Sequence, residues 1–130
     1  MAKGRVLVVD DEADVRKSIR LSLTKAGYDV VEAEEGEQAI QAIRSDENPL
    51  LVDAIICDLV MPKVSGMEAI AFFRSQFPGA PILVLTGHPN IENLNELYKQ
   101  GVVDYLVKPI APEELLAAVE KAVPKHKLFD

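Results

Sequence analysis

Positive charge is scarce in this chain. Its 130 residues carry 14 lysines and arginines against 21 aspartates and glutamates, a net charge of −7. A surface of that sign repels a phosphate backbone, which argues against direct nucleic-acid binding by this domain. Cysteine is scarcer still. The single residue, Cys57, excludes an internal disulfide and a cysteine-built zinc site. Two histidines, His88 and His126, have no His or Cys partner at ligand spacing and read as ordinary loop and tail residues. No apolar run reaches the ~18–20 residues of a membrane span. Met1-Ala2-Lys3-Gly4 leads straight into a strand-like segment with no signal-peptide pattern. Internal repeats and low-complexity tracts are missing too. With 48% apolar and 27% charged residues, the balance is that of an ordinary globular domain, expected in the cytoplasm.

What is present is alternation. Short apolar runs at 5–10, 28–33, 53–58, 81–86 and 102–107 are separated by longer stretches with helical spacing. Val15, Ile19 and Leu23 mark the first helix, with Gly27 as its stop; Ala39, Ile40 and Ile43 mark the second. Met67, Ile70, Phe73 and Phe77 mark a third, ended by Pro78-Gly79. Ile91, Leu94 and Leu97 mark a fourth, with Asn90 as N-cap and Gly101 behind it. Leu115, Leu116, Val119 and Val123 mark the last, with Pro112 in its first turn. Five β–α units in strict order predict an α/β fold with a parallel sheet covered on both faces. Val6–Val9, 54–57 and 82–85 are unbroken apolar runs, as interior strands are. Asp29 and Glu32 interrupt the second strand, and Asp104 and Tyr105 the fifth, which places those two at the edges. The order 2-1-3-4-5, doubly wound (βα)5 and flavodoxin-like, satisfies both conditions with right-handed crossovers. The domain is expected over 1–123, with 124–130 as a tail or the start of a linker.

Polar residues collect at the carboxyl ends of four of these strands: Asp10-Asp11, Asp58, Thr86 and Lys108. Open parallel sheets bind ligands at those ends. Clustered carboxylates repel unless a cation joins them, and an oxygen-only set without His or Cys suits Mg²⁺. Lys108 adds a point positive charge and Thr86 a hydroxyl donor. Together they make a site for a phosphoryl group on a carboxylate, and Asp58, alone at the end of the middle strand, is its natural nucleophile.

Each residue also has a plain structural role open to it. Asp10, Asp11 and Glu12 could cap the first helix, and taken alone that role comes before metal binding. Asp58 and Thr86 could be turn residues, and Lys108 a solvated lysine. Convergence of all four on one end of the sheet is what these readings leave unexplained. Cys57, in a buried run, is expected to pack rather than react.

The residues resemble a known family. Val6–Asp11 reads V-L-V-V-D-D, residues 58–66 read D-L-V-M-P-K-V-S-G, 85–87 read L-T-G, and 101–109 read G-V-V-D-Y-L-V-K-P. With spacings of 48, 28 and 22 residues between Asp10, Asp58, Thr86 and Lys108, the chain resembles the receiver domains of two-component response regulators over about residues 4–123. That resemblance implies that Asp58 accepts a phosphoryl group from a sensor histidine kinase or phosphotransfer protein. Asp10, Asp11, Asp58 and the backbone carbonyl of Val60 would hold Mg²⁺. Lys108 would contact the phosphoryl group, Thr86 would move toward it, and Tyr105 would be the switch aromatic following Thr86 inward. It also implies a cis Lys108-Pro109 bond. Tyr105 has a plainer reading as an edge-strand aromatic. Recipients of the signal would be an output domain, a partner protein or a phosphorylation-dependent homodimer. Val64-Ser65 and Ala111 depart from the commonest pattern without touching the chemistry.

Two rival classes are weaker. An aspartyl-phosphate phosphatase needs a second acid two positions after its nucleophile, where this chain has Val60, and a nucleotide enzyme needs a glycine-rich phosphate loop that is missing after the first strand. A phosphate-relay carrier or a phosphorylation-independent interaction module of the same fold remains as the alternative to a switch.

Overall fold

The computed structural model describes residues 3–34, 41, 52–58, 66–76, 79–87, 89 and 91–127. Five strands form one sheet: β1 (Arg5–Val9), β2 (Asp29–Ala33), β3 (Ala54–Cys57), β4 (Ile82–Thr86) and β5 (Val102–Val107). Every pairing is parallel and the spatial order is β2-β1-β3-β4-β5, as expected. The described helices are α1 (Ala13–Lys25), α2 (Gly66–Gln76), α3 (Ile91–Lys99) and α4 (Pro112–Lys127). The helix expected around Ala39, Ile40 and Ile43 lies outside the described residues, as do Val60, Val64-Ser65, Phe77-Pro78, His88 and Asn90.

Side chains alternate across the strands and sort the core into two layers. Leu7, Val9, Ile55, Cys57, Ile82 and Val84 face Ile70 and Phe73 of α2 and Leu97 of α3. Val6, Val8, Ala54, Ile56, Leu83 and Leu85 face Ile19 and Leu23 of α1 and Leu115, Val119 and Val123 of α4. Because helices cover both faces, the interior positions of β1, β3 and β4 are all apolar. The edge strands do: Asp29 and Glu32 in β2, and Asp104 in β5, remain at least partly exposed.

Two local features position the strand ends. Gly27 and Gly101 follow α1 and α3 with φ of 103° and 93°, the left-handed conformation that stops a helix. At Gly101 a Cβ would also stand 2.6 Å from the Arg74 guanidinium, which would have to move aside. A register shift between Ile82 and Leu83 pairs them with Val102 and Asp104 and leaves Val103 as the extra, exposed residue of β5. The downstream pairing then sets Val84 opposite Tyr105 and Thr86 opposite Val107. The last helix is longer than its apolar positions mark out. α4 runs through Pro124 to Lys127, so the backbone of 124–127 continues the helix where a tail was expected to begin.

Candidate functional site

Parallel strands end together, so the residues just after β1, β3 and β5 share one edge of the sheet. Backbone hydrogen bonds hold that edge in line. Asp10 N–H donates to the Ala33 carbonyl at 3.1 Å, Asp58 N–H to Val9 at 2.9 Å, and Lys108 N–H to Thr86 at 2.8 Å. Asp10, Asp58 and Thr86 are the buried polar residues among those described, 2%, 4% and 0% exposed.

Lys108 is the hub. Its Nζ lies 2.8 Å from Asp10 Oδ2, 2.9 Å from Glu12 Oε1 and 3.0 Å from Asp58 Oδ2. Its peptide bond to Pro109 is cis, as the resemblance implies. Burial alone would lower the Lys108 pKa, but hydrogen bonds to Asp10, Glu12 and Asp58 raise it above the ordinary lysine value and keep the ammonium charged. Burial raises the Asp10 pKa; the Lys108 hydrogen bond and the Glu12 N–H, 2.9 Å from Asp10 Oδ1, oppose that, and the Asp58 charge adds to it. Arg16 fastens the same corner from α1. Its guanidinium donates to the Asp10 carbonyl at 2.7 Å and pairs with Glu32 of β2 at 3.3 Å.

Carboxylate oxygens of Asp10, Asp11, Glu12 and Asp58 all lie within 4.8 Å of one another. This is an oxygen-only donor set, two of its members buried, at the open end of the sheet. Such a set fits a hard divalent ion that keeps part of its water shell. Burial pushes the Cys57 thiol pKa up and its Sγ donates to the Asp58 carbonyl at 3.3 Å, consistent with packing rather than reactivity. Tyr105 is half-buried and packs on the core layer beneath α2 and α3. Beside the hub a groove of about 470 Å³ opens between α1 and α4, lined by Glu12, Ile19, Lys108, Ile110 and Leu115 among others.

The structure therefore brings Asp10, Asp11, Asp58 and Lys108 together and sets Thr86 at the adjoining strand end. Val60 lies outside the described residues. Glu12 is the residue whose place the sequence does not reveal. It reads as a helix opener, and its ion pair with Lys108 spans 96 positions of chain.

A doubly wound sheet with an acidic, lysine-bridged mouth at its carboxyl edge defines a class of phosphate-handling signalling domains. The family model of the response regulator receiver domain matches residues 6–120, and the chain belongs to that family. It is 40% identical over 126 residues to the response regulator MprA of Mycobacterium ulcerans (strain Agy99), covering 97% of this chain and 53% of that protein. The chain thus spans about half the length of the curated relatives it matches. A crystal structure of a response regulator receiver domain protein from Clostridium thermocellum superposes with a TM-score of 0.89 at 30% identity, covering 98% of this chain and 99% of that one. The chemotaxis protein CheY4 of Vibrio cholerae gives a TM-score of 0.82 at 34% identity, covering 92% and 98%. The chain is a receiver domain of two-component signalling, a family that receives phosphoryl groups from histidine kinases and acts as a signalling switch.

Proposed function

We propose that Asp58 is the phosphoacceptor and that Asp10, Asp11 and Asp58, with the Val60 carbonyl, hold Mg²⁺ beside it. The observation that carries this reading is the Lys108 ammonium bridging Asp10 and Asp58 at 2.8 and 3.0 Å, at the open end of the sheet's middle strand. An Asp58 carboxylate oxygen attacks the phosphorus of a phosphohistidine on a sensor histidine kinase or phosphotransfer protein. The new O–P bond forms as the P–N bond breaks, and the electron pair leaves with the imidazole, which takes up a proton. Bound Mg²⁺ would supply charge neutralisation between the carboxylates and the incoming phosphoryl oxygens. Lys108 offers a fixed cation to the same oxygens, and Thr86 a hydroxyl donor from the end of β4. No second substrate is acted on; the domain assists its own phosphorylation and dephosphorylation.

The product adds roughly −1.5 to −2 charges to the mouth. Thr86 moves toward them and Tyr105 follows, altering the α3–β5–α4 face that an output domain, partner or second copy reads. A kinase donor places this chemistry in the cytoplasm. The reading is tested with Mg²⁺ and a small phosphodonor such as acetyl phosphate. Intact mass rises by one phosphoryl group in the parent and stays unchanged in Asp58→Asn. Equal labelling of that variant would sink the assignment.

A further inference from the structure

A lysine ammonium has three N–H donors, and Lys108 directs all of them at carboxylates: Asp10, Glu12 and Asp58. Nothing is left for a phosphoryl oxygen until one of these contacts is exchanged. The three are not equal. The Asp10 side chain is 2% exposed, so releasing it would leave a buried charge without its counter-ion, and Asp58, 5% exposed, is the nucleophile itself, which keeps its charge and its contact until the O–P bond forms. Glu12 is 59% exposed, and its carboxylate would be released into water. Glu12 also makes no side-chain cap to α1, whose N-cap position it occupies, so the ion pair is not a by-product of capping.

We propose that Glu12 is a positioning residue, a tether that holds the Lys108 ammonium in its resting place and is exchanged for the phosphoryl oxygen when Asp58 is modified. This rests on the reading of Asp58 as phosphoacceptor. Glu12 acts at both ends of its residue: its backbone N–H fixes Asp10 at 2.9 Å, and its side chain fixes Lys108 at the same distance. The tether competes with the incoming phosphoryl group for one donor before the O–P bond forms, so it slows modification. Partly exposed ion pairs of this kind set an effect of about two- to fivefold.

The test compares Glu12→Gln and Glu12→Asp with the parent. Glu12→Gln removes the charge, whereas Glu12→Asp keeps it and draws the carboxylate back by one methylene. With saturating Mg²⁺ and acetyl phosphate, both variants are expected to label about two- to fivefold faster than the parent, read by intact mass. In metal-free protein, both are expected to show faster solvent exchange of the Lys108 ammonium protons by NMR. Faster labelling in Glu12→Gln with parental behaviour in Glu12→Asp assigns the effect to charge alone and overturns the tether. Parental rates in both variants overturn it as well. If the parent takes up no phosphoryl group, the phosphoacceptor reading fails, while ammonium exchange still judges the tether: unchanged exchange in both variants rejects it.

Discussion

Two aspartates bracket β3, one just before it and one just after, and their company differs. At the amino end, Asp53 Oδ2 accepts the Arg5 N–H at 2.8 Å, and the Asp53 N–H donates to the Arg5 carbonyl at 2.8 Å. At the carboxyl end, Asp58 is anchored by its N–H to Val9, but its carboxylate meets the Lys108 ammonium within a cluster of three further acids. Asp53 closes a backbone junction between β1 and β3 with a neutral donor. Asp58 is held in a field of like charges balanced by one cation. On the proposed reading, the same residue type flanking the same strand is structural at one end and chemical at the other, because its partners, not its identity, decide whether charge there is settled or available.

The sharpest way to break this contrast is chemical. Asp58→Asn is expected to abolish phosphoryl labelling, while Asp53→Asn stays within about twofold of the parent. Loss of labelling in Asp53→Asn while its fold is intact by circular dichroism would dissolve the distinction.

Stability gives the next largest effect. Lys108→Ala removes the counter-ion of buried Asp10 and Asp58 and is expected to cost about 2 kcal/mol in metal-free protein. Asp53→Ala loses its hydrogen bond to Arg5 and is expected to cost about 1 kcal/mol. The two losses should also differ in kind. Mg²⁺ recovers part of the first by acting as a replacement cation and none of the second. Urea titrations with and without Mg²⁺ measure both, and a metal-insensitive Lys108→Ala defect would count against a cation site.

A smaller effect comes from the metal in the parent protein. At tenfold excess over its dissociation constant, a ligand bound by the native state alone adds about 1.4 kcal/mol. Mg²⁺ is expected to raise the melting temperature accordingly, Asp11→Ala to lose most of the rise, and Asp53→Ala to keep it. A parent whose melting ignores Mg²⁺ returns Asp10-Asp11-Glu12 to the role of a helix cap.

Much of this contrast is legible in the sequence. The interior strands announce themselves as unbroken apolar runs because both faces are covered, and the strand order then carries Asp10, Asp58, Thr86 and Lys108 to one edge. Each lies at a strand end, a position that periodicity locates well. Glu12 is not legible in the same way. It stands at the N-cap of a helix, where an acid has a local reason to be, and its partner comes from a strand end 96 positions away. The register shift that leaves Val103 unpaired is equally hidden, since a single extra residue changes no apolar pattern. The run of α4 past Pro124 is hidden as well. A proline ordinarily ends a helix by removing an N–H and crowding the carbonyl four residues back, yet α4 carries on to Lys127.

The smallest expected effect lies farthest from the aspartates, at Tyr105. Its ring packs half-buried on the layer formed with α2 and α3, and its strand neighbour across the ladder is Val84, two residues before Thr86. A movement of Thr86 toward a modified Asp58 would therefore reach the ring through adjoining strand ends. Coupling of this sort is worth about 1 kcal/mol at its low end, enough to shift a population without locking it. Beryllofluoride, a phosphoryl mimic, with Mg²⁺ is expected to move amide resonances across 91–123, and Tyr105→Ala to shrink the movements in α3 and α4 while sparing those beside Asp58. The amino end of the sheet, around Asp53 and Arg5, should stay silent in both proteins. Shifts confined to the loops around Asp58 would make the domain a passive phosphate carrier, and Tyr105 an aromatic that merely covers the edge of its sheet.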